Sequence, residues 1–170
     1  MFASSREGEE AAFFHEIARR RADGVRWLVV PRHPQRFDEV AQLAAQAGLS
    51  VSRRSTWGDG GPPEADLWLG DSLGEMPLYY GLADAALLGG SFEPLGGQNL
   101  IEAAACGCPV LMGPHTFNFE QATALALEAG AARRCADLRD AVAQGLALCA
   151  DADALARMQA AARTFSTAHR

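Results

Sequence analysis

The sequence predicts an α/β domain: a mostly parallel sheet of six or seven strands between layers of helices. Three observations carry that prediction. Short apolar runs alternate with helical patterns along the whole chain, an arrangement that right-handed crossovers fold into a parallel sheet. The run Val25 to Val30 is nearly all apolar, as in strands covered on both faces. The stretch Gly89 to Glu102 reads Gly-Gly-Ser-Phe-Glu-Pro-Leu-Gly-Gly-Gln-Asn-Leu-Ile-Glu, a strand end, a glycine-rich loop and a helix start.

Taken in order, Phe2 to Ser4 predicts a short first strand. A chain that opens inside a strand is expected to be part of something longer. Glu7 to Arg21 predicts a helix that turns Phe13, Phe14 and Ile17 to the core and ends at Gly24. Val25 to Val30 is the second strand. Pro34 suits the first turn of a helix that runs to about Ala47, with Phe37, Val40, Leu43 and Ala44 at helical spacing and Gly48 closing it. Leu49 to Arg53 is a third strand, and the Gly/Pro-rich segment Gly58 to Pro63 is the expected mobile loop. Leu67 to Leu69, Ala85 to Leu88 and Pro109 to Met112 are the next strands, with Glu75 to Leu82 a short helix between the first two. Phe119 to Ala129 predicts a helix, Ala131 to Arg134 a last short strand, and Asp137 to Cys149 and Ala152 to Phe165 two closing helices.

With 170 residues, 49% hydrophobic and 21% charged, the chain fits one globular domain with a full core. A net charge of -6 argues against a general nucleic-acid binder. All 15 basic residues are arginine, so no lysine is available as a Schiff base or P-loop cation. Cys106, Cys108, Cys135 and Cys149 lack paired C-x-x-C spacing and read as reduced thiols, Cys106 and Cys108 as small buried side chains rather than zinc ligands. No signal peptide or apolar run of membrane-spanning length stands in the sequence.

In a parallel sheet, ligands bind outside the carboxyl ends of the strands, where the strand order reverses. Five loops follow strands there. In Ser4 to Glu10, Ser5 is a candidate helix cap and Glu7, Glu9 and Glu10 complement the helix dipole, which leaves Arg6 and Gly8 unexplained. In Pro31 to Arg36, prolines fix the backbone around Arg32 and His33. Rigid arginine forks suit phosphate; Arg36, one turn further on, reads as a solvated surface residue. In Gly70 to Met76, backbone N–H groups of Leu73, Gly74, Glu75 and Met76 can face a ligand, while Asp71 and Ser72 also suit an ordinary turn.

The fourth loop is Gly89 to Glu102. Gly96 and Gly97 can take positive φ and let a ligand approach the backbone. Asn99 and Glu102 fit a capping box that satisfies orphan backbone donors, or a site in which Glu102 accepts from ribose hydroxyls while the loop holds phosphate; the residues alone leave both open. In the fifth loop, Gly113 to Glu120, His115 follows a rigid Gly-Pro, Thr116 or Asn118 can cap the helix, and Phe117 and Phe119 can anchor the loop. Together the five describe a nucleotide or sugar-phosphate pocket. Walker A, G-x-S-x-G and H-E-x-x-H are absent, as is G-x-G-x-x-G after the first strand, so a nicotinamide cofactor is not expected.

These motifs, five in register, resemble the C-terminal half of the bacterial 3-deoxy-D-manno-octulosonic acid (Kdo) transferases of lipid A synthesis. The carrying stretches are Ser4 to Glu10, Pro31-Arg32-His33-Pro34, Gly70 to Glu75, Gly89-Gly90-Ser91, Pro94 to Glu102 and Gly113 to Phe119. The resemblance implies one Rossmann-like three-layer domain, residues 1–170, of a GT-B type enzyme whose two domains face across a cleft. It implies inverting transfer of Kdo from CMP-Kdo to a lipid A precursor in lipopolysaccharide biosynthesis, without an essential metal or other cofactor. It implies donor binding by Arg32, His33, Ser72, Leu73, Gly74, Glu75, Gly96, Gly97, Asn99 and Glu102, with Ser5, Gly8 and His115 as further candidates.

The same resemblance places the catalytic base, the acceptor site and the membrane association in an N-terminal half, and the full protein at the cytoplasmic face of the inner membrane. This chain alone is then expected to be soluble and to bind donor without turnover. Two positions depart from the family's histidines, Arg6 and Gln98. Gln98 still donates and accepts hydrogen bonds; Arg6 adds permanent charge and receives no role. Other GT-B types, such as a sugar-nucleotide epimerase or an N-acetylglucosaminyl transferase, and a noncatalytic nucleotide-binding module are the alternatives. The Gly113 to Phe119 segment favours the Kdo transferases.

Overall fold

The computed structural model describes residues 1–22 and 24–169. Strands β1 (Phe2–Ser5), β2 (Trp27–Pro31), β3 (Val51–Arg53), β4 (Leu67–Leu69), β5 (Ala86–Leu88), β6 (Val110–Met112) and β7 (Ala132–Arg134) alternate with helices α1 (Glu10–Arg19), α2 (Phe37–Gln46), α3 (Met76–Leu82), α4 (Ile101–Ala105) and α5 (Glu120–Glu128). The chain closes with α6 (Leu138–Ala150) and α7 (Ala152–Ala168). The strands form one seven-stranded sheet in the order β3-β4-β2-β1-β5-β6-β7, and every pairing is parallel.

Strand residues sort by parity into two cores, because successive side chains leave opposite faces. Phe2, Val29, Leu87 and Leu111 pack with Phe13, Phe14 and Ile17 of α1, Val40 and Ala44 of α2, and Leu138 and Val142 of α6. Ala3, Leu28, Val30, Leu88 and Met112 pack with Tyr79 and Tyr80 of α3, Ala103 of α4, Ala126 of α5, and Phe165 of α7. Both faces are covered, so the strands read as continuous apolar runs. The three-layer fold and its seven strands agree with the expectation.

The differences are local. Helix α1 starts at Glu10 rather than Glu7, because Arg6 to Glu9 form a turn in which the Glu9 N–H donates to the Arg6 carbonyl at 3.1 Å. Pro34 opens a 3-10 turn over Pro34–Arg36 rather than the first turn of α2. Arg36 is not a solvated surface residue. Its guanidinium donates to both Glu10 oxygens at 2.8 and 3.0 Å, with the two side chains 11% and 0% exposed, and so clips α2 to α1. β1 carries a bulge between Ala3 and Ser5, where Ser4 adopts a left-handed φ of 54°. Ser5 is the buried last residue of β1 and caps no helix.

Candidate donor-binding edge

The strand order reverses at β1: the chain passes from β1 to β2 on one side, and β5 later pairs with β1 on the other. The loops that follow β1 and β5 therefore diverge at the centre of the carboxyl edge, where this class of sheet opens a crevice. Along that edge stand, in order, the loops after β4, β2, β1, β5 and β6. Arg32 and Glu102 both lie in segments that follow the carboxyl ends of strands, on the two sides of β1.

Glu9 knits the centre. One carboxylate oxygen accepts the N–H of Arg6 at 2.8 Å and of Gly90 at 2.9 Å; the other accepts Gly90 at 3.0 Å and Phe92 at 3.1 Å. The side chain is fully buried and meets no cation among the described residues. Burial pushes its pKa up, against the opposing pull of the Gly90, Arg6 and Phe92 N–H groups. Gly89 completes the join: a Cβ there would stand 2.0 Å from the Ser4 carbonyl oxygen. Read from sequence, Glu9 was one of three acids complementing a helix dipole. The run Glu-Gly-Glu-Glu gave no signal as to which carboxylate turns inward.

On the β2 side, the Arg32 N–H donates to the Ser5 carbonyl at 2.9 Å, and its exposed side chain makes no ion pair among the described residues. His33 is half-buried. Partial burial, then the charges of Arg6, Arg32 and Arg36, hold its imidazole below the usual value and so favour the neutral form.

Beyond β4, the turn from Gly70 to Glu75 is built by ion pairs that the sequence did not signal. Asp71 accepts from the Ser55 N–H at 2.7 Å, the Ser55 hydroxyl at 2.6 Å and Arg53 Nε at 2.8 Å. Arg54 donates to Glu75 at 3.2 Å, and the Ser72 hydroxyl bonds the Tyr79 hydroxyl. Asp71 is thus the turn's fastening. Gly70 is there for packing, since a Cβ would meet Val30 at 2.8 Å and the Tyr79 ring at 2.9 Å. Gly74 takes a φ of 74° with open space beside it. The backbone N–H groups of Leu73, Gly74 and Glu75 donate to no protein group among the described residues, and Leu73 is 74% exposed. Two acids flanking one glycine turn, Asp71 and Glu75, imply basic partners; that was the missed signal for Arg53 and Arg54.

After β5, Gly96 and Gly97 take the expected positive φ of 92° and 81°. The space beside Gly96 is taken, however. A Cβ there would stand 2.2 Å from Asn118 Nδ2 and 2.8 Å from the Phe117 ring. These glycines seat the loop after β6 rather than open the backbone to a ligand at that point. The capping box does not form: Asn99 Oδ1 accepts the Ile101 N–H at 3.0 Å, Leu100 stands at the N-cap without a side-chain bond, and exposed Glu102 has no partner among the described residues. Gln98 Nε2 reaches the Ser4 carbonyl at 3.4 Å.

After β6, the His115 N–H donates to the Ser91 carbonyl at 2.9 Å and its side chain is half-buried. Neither Thr116 nor Asn118 caps α5; the buried Thr116 hydroxyl accepts Arg134 at 3.0 Å instead. Phe117 is 55% exposed and so is not the buried anchor expected, while Phe119 is half-buried. Gly8 has a φ of 92° and lies against Glu93 of the loop after β5. A cavity of 460 Å³ lies at the opposite, amino edge between Trp68, Leu82 and Cys149. Its size does not outweigh the free donors and charges that the fold gathers at the carboxyl edge.

Comparison with known proteins places this arrangement. No family model matches the chain. It is similar to a 3-deoxy-D-manno-octulosonic acid transferase of Bordetella pertussis, 51% identical over 98% of the chain and 40% of that protein. It is also similar to the transferase of the same name from Haemophilus influenzae, 40% identical over 70% of the chain and 28% of the relative. The chain spans about two fifths of the length of the Bordetella relative.

Among solved structures, the C-terminal CMP-Kdo binding domain of WaaA from Acinetobacter baumannii superposes with a TM-score of 0.89 at 30% identity, covering 99% of this chain and 88% of that one. A glycosyltransferase from Rickettsia africae shares the fold, with a TM-score of 0.67 at 15% identity over 98% of this chain and 42% of that one. The match to the Acinetobacter domain is end to end, and the Bordetella identity runs through the same residues. The chain therefore belongs to the family of 3-deoxy-D-manno-octulosonic acid transferases, as the part of them that forms the C-terminal domain.

Proposed function

We propose that residues 1–170 are the nucleotide-sugar donor-binding domain of an inverting glycosyltransferase that moves Kdo from CMP-Kdo to a lipid A precursor in lipopolysaccharide biosynthesis. The observation that carries this is the end-to-end fold match, TM-score 0.89, to a domain described as CMP-Kdo binding.

The free groups of the carboxyl edge suit such a donor. Arg32 takes the phosphate with a charge-assisted contact. The unengaged N–H groups of Leu73, Gly74 and Glu75 face the nucleotide, and Glu102 accepts from the ribose hydroxyls. His33, whose neutral form is favoured, and His115 offer hydrogen bonds beside them. Ser5, Gly8, Ser72, Gly96, Gly97 and Asn99 shape the walls, since their side chains or side-chain space are engaged, buried or absent.

Transfer needs a base for the acceptor hydroxyl and both reactants in attack geometry. In this reading the base and the acceptor site come from residues outside these 170, as does contact with the inner membrane at its cytoplasmic face. No helix among the described residues is long and apolar enough to cross a membrane. Ligand-observed NMR with CMP, UDP and ADP tests the reading. CMP should bind, and the purified chain should transfer no Kdo from CMP-Kdo to a lipid A precursor. Preference for UDP would point to another GT-B enzyme, and no binding of any of the three would remove the donor reading.

A further inference from the structure

The arginines near the carboxyl edge divide into two sets. Arg36, Arg53 and Arg54 donate to carboxylates, and Arg134 donates to the Gly113 carbonyl and the Thr116 hydroxyl. The guanidinium groups of Arg6 and Arg32 donate to no side chain or carbonyl among the described residues, and the two residues are neighbours. β1 and β2 pair in parallel with Ser5 opposite Pro31, so Arg6 and Arg32 are the next residues of adjacent strands. Such strands run about 4.8 Å apart.

Both roots are fixed. The Arg6 N–H is held by Glu9 at 2.8 Å and its carbonyl by the Glu9 N–H at 3.1 Å. Arg32 sits between Pro31 and His33-Pro34, with its N–H on Ser5. Arg6 is half-buried, and its charge reaches His33 together with those of Arg32 and Arg36. Glu93 lies against Gly8 on the same turn but makes no ion pair with Arg6.

Two unpaired guanidinium groups are thus rooted on adjacent strands. They suit a ligand with two anionic groups close together. An activated ulosonic acid is such a ligand: the former keto carbon carries the phosphodiester and also bears the carboxylate. Resting on the donor reading above, we propose that Arg6 holds the donor's carboxylate while Arg32 holds its phosphate. Arg6 then tells an ulosonic donor from a nucleotide diester that lacks the acid.

Calorimetric titration of the full chain with CMP-Kdo and with the methyl diester of CMP tests this, because both are phosphodiesters and only the first has the carboxylate. Arg6→Ala should weaken CMP-Kdo about tenfold or more and the methyl diester less than about threefold, the difference that one charge-assisted contact makes. Arg6→Lys should recover part of the loss for CMP-Kdo alone. Arg32→Ala should weaken both ligands. Equal effects of Arg6→Ala on the two ligands, or none on either, would overturn the assignment and leave the donor reading intact. Failure of the unaltered chain to bind either ligand would remove the donor reading and this one with it. Arg6→Gln serves as the second variant should Arg6→Ala fold poorly.

Discussion

At the ends of β3 and β4, arginines and acids are matched. Arg53 donates to Asp71 and Asp38, and Arg54 to Glu75. At the ends of β1 and β2 the acids turn away from the outer arginines: Glu9 takes backbone N–H groups and Glu10 takes Arg36, which leaves Arg6 and Arg32 unmatched. The two regions share a sheet edge and a residue repertoire. What differs is where the charge is spent. Matched charges hold loops in place, and unmatched ones at the centre of the edge are available to a ligand. The sharpest test is to alter one charge from each set and ask whether stability or affinity responds.

Glu10→Ala should give the largest effect. It removes both Glu10 bonds from the Arg36 guanidinium and leaves it only the Glu39 carboxylate, a loss of about 3 kcal/mol for two charge-assisted bonds, to be read from urea unfolding. If the loss is below about 1 kcal/mol, the Arg36 clip is not holding α2 to α1. Asp71→Asn should cost less, about 1–3 kcal/mol at neutral pH. Burial alone would raise the Asp71 carboxyl, but the Ser55 hydroxyl and N–H and then Arg53 outweigh it and hold it below its ordinary value of 3.8. A lowered folded value gives stability that is present above 3.8 and lost as pH falls through the lowered value. The gap between Asp71→Asn and the unaltered chain should therefore close in acid; a gap that persists there would mean the carboxylate charge is not what fastens the turn.

Arg32→Ala belongs to the other set. Its stability should stay within about 0.5 kcal/mol, while CMP affinity falls roughly tenfold to a hundredfold and cytidine affinity barely moves. Equal losses for nucleotide and nucleoside would assign Arg32 to the scaffold. Glu102→Gln should be the mildest, lowering CMP and cytidine affinity alike by about threefold to tenfold, as expected for a hydrogen bond kept without its charge. A loss confined to CMP would remove Glu102 from the ribose.

The fold was legible because its signals are collective. Alternating apolar runs over the whole chain sum to one answer even where single boundaries slip, as at Glu7 or Leu49. The edge was legible as a set of loops, through glycines and prolines whose backbone demands are local. Roles within the loops were harder to read. Glu9, Glu10 and Arg36 look like surface charge in sequence; the loop after β5 closes over Glu9, and the packing of α1 on α2 brings Glu10 to Arg36. Gly96 and Gly97 announced their positive φ correctly, yet the neighbour that fills the space beside Gly96 comes from the loop after β6, about twenty residues on. Asn99 and Glu102 have capping-box spacing, but the chain starts α4 one residue later and the box never closes.

The position of β1 has a consequence for assembly. Its four residues form the middle of the sheet, with β2 on one edge and β5 on the other. The β2 edge can be covered early, but the β5 edge stays open until Ala86 to Leu88 have been made and brought back over a long loop. Closing so distant a contact is slow relative to local helix formation. A half-sheet of β1 to β4 with an uncovered central edge should therefore precede the complete one. In pulse-labelled hydrogen exchange during refolding, the Leu87 and Gly89 amides, which bond to the Met1 and Ala3 carbonyls, should gain protection later than the Arg32 amide on Ser5. Their simultaneous protection would show that the two halves of the sheet form together.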